Sequence, residues 1–353
     1  MPRKISLRDL ARRLDLSSTT VSEALRGVSR VNPETRERVE RLANELGYRR
    51  NSLVGAMMSE LRRAKADSFR GTLAVLDLDG PNRRSAGGDR YHAEVVAGAK
   101  RRAEELGFKV DTIGAKAAGL PRARLRKVLD ARGVRGVMFL PMAKPDLADV
   151  DLGGLAGLYA DYMTEEPALH SICPDHYRAI FLTLQKLADL GYRRAAFVLQ
   201  DMHDVRLLHR WEAGYDAFRK HAPGGAAAMQ CLPAYLVPYV ASKVMDEARF
   251  VAWFKKADCD VVITHMPQVK ALMEKAGARV PATHGFCCLN LINCDFSSAG
   301  LDLCPGLLGE RGAELLIGQI LRNEGGVPSR PLTTTMPVDW VDGPTLRAQT
   351  GQE

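Results

Sequence analysis

No run of about 18 consecutive apolar residues occurs in the 353-residue chain, so none of it is expected to cross a membrane as a helix. The opening stretch, MPRKISLRDLARRLDL, carries basic residues but no continuous apolar core, and is expected not to be a secretory signal. Cysteines number seven, an odd count in a long chain, which does not read as a disulfide framework; a reducing cytoplasm is the expected home. Cys287, Cys288, Cys294 and Cys304 invite a zinc reading, but they lack paired C-x-x-C units. Their neighbourhood reads as a buried strand and loop, where a free thiol behaves as a small hydrophobe, so no metal is expected. H-E-x-x-H, G-x-S-x-G, the phosphate-binding P-loop and G-x-G-x-x-G are all missing. No catalytic residue and no cofactor is therefore assigned, and the chain is not expected to be an enzyme. Net charge is also nearly missing from most of the molecule. Residues 1–65 hold 15 Lys and Arg against 8 Asp and Glu, leaving 35 against 34 for all the rest. Almost the whole excess of +8 sits in under a fifth of the chain, where a phosphate backbone is the natural counterpart.

That basic segment reads as three short helices. In SLRDLARRL, Leu7, Leu10, Ala11 and Leu14 share one stripe, Ser6 is a good N-cap and Asp9 stands at N3. Ser17 caps a second helix, Ser18 to Arg26, ended by Gly27. Asn32 caps a third, with Pro33 at N1 and Glu34 near its positive end; Val39, Leu42, Ala43 and Leu46 face inward and Gly47 stops it. On the second helix Val21, Ala24 and Leu25 form the apolar stripe, while Ser18, Thr19, Ser22, Glu23 and Arg26 form the other face. A solvated face would use long Lys and Glu chains. Small hydroxyls instead let the backbone approach a surface closely. Two helices joined by about three residues, then a third, fit the helix-turn-helix unit, whose second helix enters the major groove.

The residues LRDLA, S-TTVS-AL-G, V-PETRERV and LGY-RN occur in order without gaps over about 47 positions. In this the segment resembles the DNA-binding part of the lactose-repressor/galactose-repressor family of bacterial transcription regulators. The resemblance implies a dimeric repressor on a pseudo-palindromic double-stranded operator, with an effector domain like the periplasmic sugar-binding proteins. It implies base reading by Ser18, Thr19 and Glu23, and phosphate contacts from Ser6, Ser17, Thr20, Ser22, Arg26, Asn32 and Thr35. Family members usually carry Arg where Glu23 stands. Arg prefers guanine and a carboxylate accepts from the cytosine amine, so the operator is expected to differ at that base pair; alternatively Glu23 pairs with Arg26 or Arg30. The resemblance continues into a hinge, where Met57 takes the place of the Leu that wedges into the minor groove. Val54 and Met58 flank it, and Met57 can equally pack in a hinge-helix dimer. Arg50 replaces the family's usual Pro, and RRAKADSFR reads as a basic polar linker.

Beyond residue 72 short apolar strands (GTLAVLDL, VRGVMFLP, RRAAFVLQ, CDVVITH) alternate with helices (HAEVVAGAKRRAEELGF, HYRAIFLTLQKLADLGY, GLLGERGAELLIGQILRNEGG). This predicts parallel sheets covered by helices. The expected fold class is an N-terminal all-α helix-turn-helix domain plus an α/β, two-lobed, periplasmic-binding-protein-like effector domain. The expected boundaries are 1–50 for DNA binding, 51–72 for hinge and linker, and 73–353 for effector binding and dimerisation. The lobes fall roughly at 73–175 and 176–305, with the chain crossing back near its end.

Ligands of such sheets sit beyond the carboxyl ends of the strands. Arg206, Arg210 and Trp211 suit a polar ligand, through forked hydrogen bonds and a covering ring. The resemblance adds His265 in place of an Asn, Asn290 in place of an Asp, Asp175 at a family Asp, and Tyr91 stacking from the first lobe. Trp211 as core and His265 as a satisfied buried group remain open alternatives. The partners expected are thus operator DNA, a carbohydrate-like effector and a second copy of the chain; no heptad tail follows VDGPTLRAQTGQE, which favours a dimer. An effector-independent regulator and a cytoplasmic sugar-binding protein stand as alternatives.

Overall fold

A computed structural model describes residues 7–17, 20–21, 24–25, 31–45, 69–79, 84–114, 122–142, 151–161, 167–221, 229–238 and 245–347. The chain forms two compact units, one of residues 1–70 with 321–323 and the other of 71–320 with 324–353.

In the first unit, helix α1 runs Leu7–Leu14 and helix α2 runs Pro33–Glu45. Leu10, Ala11, Val21, Ala24, Val31, Val39 and Ala43 form its buried core, with Leu14, Leu25 and Leu42 packed against it. These belong to the stripes that the helical spacing predicts; the Leu7 side chain and Leu46 lie outside what is described. Ser17 Oγ accepts from the Thr20 amide at 2.9 Å and shares a 2.8 Å hydrogen bond with the Thr20 hydroxyl, capping the turn before Val21. Asn32 Oδ1 accepts from the Glu34 amide at 2.9 Å, so Pro33 enters α2 where its missing N–H costs nothing.

The second unit holds two sheets. The first takes β1 (Gly71–Leu76), β2 (Phe108–Ile113), β3 (Val134–Phe139), β4 (Ala156–Ala160), β5 (His170–Pro174) and β12 (Thr333–Met336), in the order β12-β5-β4-β3-β1-β2. All its pairings are parallel. The second takes β6 (Arg194–Gln200), β7 (Gln230–Cys231), β9 (Val261–Thr264), β10 (Gly285–Cys288), β11 (Ala299–Asp302) and β13 (Asp339–Val341), with β8 (Tyr235–Val237) also on β6. Only β13 runs antiparallel to its neighbour, β11. Strands β1 and β9 are buried at every position, as both-face burial demands. Helices α3 (Ala86–Glu105) and α4 (Arg122–Ala131) join strands of the first sheet. Helix α5 (His176–Asp189) carries the chain from β5 to β6, and helices α6 (Asp201–Arg206), α7 (Arg210–His221), α8 (Glu247–Phe254) and α9 (Gln268–Lys275) connect strands of the second sheet. Helix α10 (Pro305–Arg322) follows β11 but packs on the first sheet: Leu316 and Ile320 lie over Gly136 of β3, and Gly312 lies against Met138. The chain therefore passes between the sheets after β5, after β11 and again after β12.

Helices α3 and α10 meet backbone to backbone. A methyl group at Gly98 would run into the Gly306 carbonyl, and one at Gly309 into the Val95 carbonyl. The seam is flanked by ion pairs, Arg101 with Glu310 and Arg102 with Glu314 at 2.6 Å. Gly98→Ala must push the helices apart and is expected to cost about 1–3 kcal/mol. A lower urea midpoint at unchanged slope checks this; an unchanged midpoint contradicts it.

Several elements differ from expectation. The apolar stretch AMQCLPAYL forms not one strand but two short pieces, β7 and β8, each pairing with β6 at a different place. Strands β4, β5, β11, β12 and β13 and the one-and-a-half-turn helix α6 go unmarked by the sequence pattern.

Candidate functional site

The carboxyl ends of β4, β5, β6 and β9 converge where the two sheets face each other. Just past them stand Asp161, His176, His203 and His265. Asp161 adopts φ of 66°, which turns the chain directly after β4. His176 Nε2 donates to Asp161 Oδ1 at 3.0 Å, which leaves its Nδ1 facing inward without a protein partner. His203, on α6, stacks on Trp211 at 5.0 Å between ring centroids and on His265 at 4.4 Å. Trp211 also meets His176 edge-on at 5.4 Å. Four rings from four segments of the chain thus form one contiguous cluster. Trp211 is only 1% exposed and His265 only 6%, and neither Trp211 Nε1 nor His265 Nδ1 has a protein partner.

The α6–α7 corner is held by Asp204. Its buried carboxylate accepts from the Trp211 amide at 3.2 Å and the Glu212 amide at 3.1 Å, capping α7 and fixing where Trp211 points. Burial pushes the Asp204 carboxyl up, against those backbone bonds. Across the interface Arg206 donates to the Met142 carbonyl at 3.1 Å and shares a hydrogen bond with His203 Nδ1 at 2.8 Å. Arg210 reaches the Cys173 sulfur at 3.7 Å. Asp161, Cys173, His176, Arg206, Leu207 and Arg210 line a cavity of about 10 Å³. That is room for about one water and far below the ~300 Å³ at which small-molecule clefts usually begin.

Burial sets the charge states. Desolvation, with the neighbouring Arg206 guanidinium, holds His265 down at about 3. His203 falls well below the ordinary histidine value through desolvation, then the nearby His265, Arg206 and His176. Both rings are neutral at pH 7. The Cys173 thiol is pushed up to about 12 by burial and by Asp161, so it too is neutral. The end of β1 is self-satisfied: Arg84 grips Asp77 through two hydrogen bonds of 2.6 and 2.7 Å. Burial pushes the Asp77 carboxyl up, but hydrogen bonds from His92 and Arg84 outweigh it and hold it below the usual range.

Of the seven residues proposed from sequence to line the cleft, Arg206, Arg210, Trp211 and His265 come together here. Tyr91 is buried in the α3 core cluster. Asp175 caps α5, accepting from the Arg178 amide at 3.1 Å. Asn290 caps the 3-10 turn Leu291–Asn293, its carbonyl accepting from Cys288 Sγ at 3.3 Å. Sequence reasoning missed Asp161, Cys173, His176 and His203; their signal is position, just beyond or at strand carboxyl ends. Asp204, His209 and Glu212 are the only His/Cys/Asp/Glu group, among the described residues, close enough to share a metal ion, and Asp204 is already occupied as a cap.

For the DNA-facing residues, Ser17 is an exposed cap, Thr20 is half-buried behind it, Asn32 is an exposed cap of α2, and Thr35 lies half-buried in the first turn of α2. Ser6, Ser18, Thr19, Ser22, Glu23, Arg26 and Met57 lie outside the described residues. No helix among the described residues is long and apolar enough to cross a membrane.

Residues 6–51 match the family described as bacterial regulatory proteins, lacI family. The sucrose operon repressor of Escherichia coli is 27% identical over 190 residues, covering 54% of this chain and 54% of the repressor. The regulator AscG of Escherichia coli K12 is 26% identical over 221 residues, 60% of each chain. The chain thus spans little more than half the length of the curated relatives it matches. Among solved structures, a transcriptional regulator CelR–cellobiose complex aligns over 97% of this chain and 99% of its own, with TM-score 0.56 at 18% identity. A lac repressor dimer bound to operator and an anti-inducer aligns over 98% and 100%, with TM-score 0.56 at 19% identity. At such identities the likeness establishes the fold: the helical head and the two-sheet α/β body are those the sequence pattern predicts.

Proposed function

Because this chain belongs to the lacI family of bacterial regulatory proteins through its residues 6–51, we propose that it is a cytoplasmic, homodimeric, sequence-specific DNA-binding regulator. The observation that carries this reading is the helical head. Apolar residues from Leu10 to Ala43 close a small core, with Ser17 exposed and Thr20 half-buried beside it, in the segment that holds nearly all the net positive charge. Ser18, Thr19 and Glu23 read base edges, and Ser6, Ser17, Thr20, Ser22, Arg26, Asn32 and Thr35 hold phosphates. Met57 enters the minor groove between the two half-sites. The boundaries are 1–50 for the head, 51–72 for the hinge and 73–353 for the body. Repression is the direction favoured by the name of one relative, the sucrose operon repressor.

The cleft takes a small polar effector, with Arg206, Arg210, Trp211 and His265 as its nearest protein groups. A carbohydrate is the class supported by the sucrose operon repressor and by the cellobiose complex. One observation favours a second reading, regulation without an effector: the chain's own rings already fill the space between the sheets. A thermal-shift screen of sugars and sugar phosphates separates the two, since a ligand of the native state raises its melting temperature.

Binding to DNA is tested with the intact chain on selected palindromic duplexes across a salt series. Affinity for one duplex is expected to fall on the order of tenfold or more from 50 to 200 mM salt, as neutralised phosphates recover counterions. A chain beginning at Gly71 is expected to lose that binding. If it holds the same duplex as firmly, the head is not the DNA-binding element.

A further inference from the structure

A histidine stands at one of the crossings between the two sheets. Arg206 of α6 donates from Nη1 to the Met142 carbonyl, just past β3, at 3.1 Å and from Nη2 to His203 Nδ1 at 2.8 Å. A guanidinium has no lone pair and can only donate, so His203 Nδ1 is the acceptor and carries no proton. The ring is therefore neutral, with its proton on Nε2. A second proton would end that bond and set two cations 2.8 Å apart. His203 is half-buried, within reach of water, and it stacks at 4.4 Å on His265, which is deeply buried.

The surrounding groups give a proton on His203 nowhere to rest. Arg206 faces it from its own helix, His265 from the end of β9 and His176 from α5, and burial acts in the same direction. Arg210 of α7 adds a further cation beside Cys173 of β5. The nearby carboxylates are engaged. Asp161, past β4, accepts from His176 Nε2 at 3.0 Å, and Asp204 accepts from the Trp211 and Glu212 amides. Asn293, which donates to the His265 carbonyl from the 3-10 turn Leu291–Asn293, is uncharged. Met202, Val205 and Leu208 are exposed, so solvent lies against the outer side of the α6 segment and can receive an outward-turning His203.

We propose that acid opens the cleft between the two sheets: a proton taken up by His203 expels Arg206 from its crossing to Met142 and uncovers the cavity that Cys173, Arg206 and Arg210 line. The closed form refuses this proton. The open form takes it up as an exposed histidine does, near about 6.5. Closure is thus at full strength above that value and weakens below it. From pH 7 to pH 5 the ratio of open to closed molecules rises about 25-fold through His203 alone. His265, uncovered by the same movement, adds in the same direction. The proposal deepens the reading of regulation without a small-molecule effector, with the proton in the effector's place. Its consequence for DNA rests on that reading, whereas the opening itself does not.

The opening is read in the intact chain by labelling Cys173 with 4,4′-dithiodipyridine across a pH series. Each native rate is divided by the rate in urea at the same pH, which removes the thiol's own titration. Mass spectrometry separates the label on Cys173, which lines the cavity, from that on Cys287, fully buried in β10. The Cys173 ratio is expected to rise about 25-fold or more from pH 7 to pH 5, with Cys173 reacting well ahead of Cys287 at both. A flat ratio overturns the proposal. Equal rates at the two cysteines also overturn it, because they mean that the whole chain unfolds rather than the cleft. His203→Gln keeps an acceptor for Arg206 but takes no proton, and is expected to reduce the rise about 25-fold while leaving the pH 7 rate near that of the parent. A rise as steep as the parent's rules out His203 as the proton acceptor. Should that variant fail to fold, the two outcomes in the unaltered chain decide. These rates do not depend on DNA, so failure of the opening and failure of the regulator reading are told apart.

Discussion

Replacing Trp211 with alanine is expected to destabilise the protein by about 3–5 kcal/mol, the usual range for emptying a buried aromatic site. Trp211 stands first among the fully buried large side chains and touches rings from three other segments. Neighbouring side chains have little freedom to collapse into the hole. Asp204 fixes the backbone of α7 from one side, and Arg206 is bonded to Met142 across the interface. The loss is thus expected near the upper end of that range. A further measurement separates this cause from general damage. Indole has the shape of the missing group and is expected to raise the melting temperature of Trp211→Ala while leaving that of the parent chain unchanged. A variant that loses less than 1 kcal/mol, or gains nothing from indole, shows that the ring does not fill the space assigned to it.

Acidification is the second large effect. Between pH 7 and pH 5 the protein is expected to lose about 2 kcal/mol through His265 alone. In the folded state His265 stays neutral down to about 3, whereas in the unfolded chain it takes up a proton at its ordinary 6.5. The unfolded state binds more protons throughout that interval, so its population grows as pH falls; the stability is fully present above 6.5 and ebbs below it. His203 and His284 are lowered too and add in the same direction. Asp204, which is raised, opposes them by holding its proton better when folded. Asp77 acts only below its ordinary 3.8, outside this interval. Urea unfolding at both pH values, for the parent and for His265→Gln, checks the claim. The variant is expected to be less stable at pH 7 and to show a smaller loss on acidification. Equal stability of the parent at pH 7 and pH 5 contradicts the assigned burial.

The sequence pattern displays the buried centre of each sheet more clearly than its margins. GTLAVL and VRGVMF are continuous apolar runs beside amphipathic helices, and they become β1 and β3. AGLYA and HSICP are as buried, but Gly, Ala and Ser supply too little β-branched bulk to announce β4 and β5. TTTM and DWV are edge strands with exposed side chains, where pairing rather than burial makes the strand. The site shows the same split. Arg206, Arg210 and Trp211 cluster in the chain and were visible as a group. Asp161, His176 and His203 are single residues far apart, and only the order β5-β4 in one sheet and β9-β6 in the other brings them near Trp211 and His265. The head was the most legible part, because capping residues and apolar spacing there act within a few residues of each other.

The route of α10 and β12 bears on how the molecule is made. A nascent chain has completed β1 to β5 by residue 174, yet the helix that covers β3 and the strand that borders β5 come only at residues 305–322 and 333–336. Until those emerge, the earliest-synthesised sheet keeps a bare apolar face and an open edge through the whole translation of the second. On the ribosome the first sheet is therefore a waiting partner for chaperones, and its completion waits on residues 305–336.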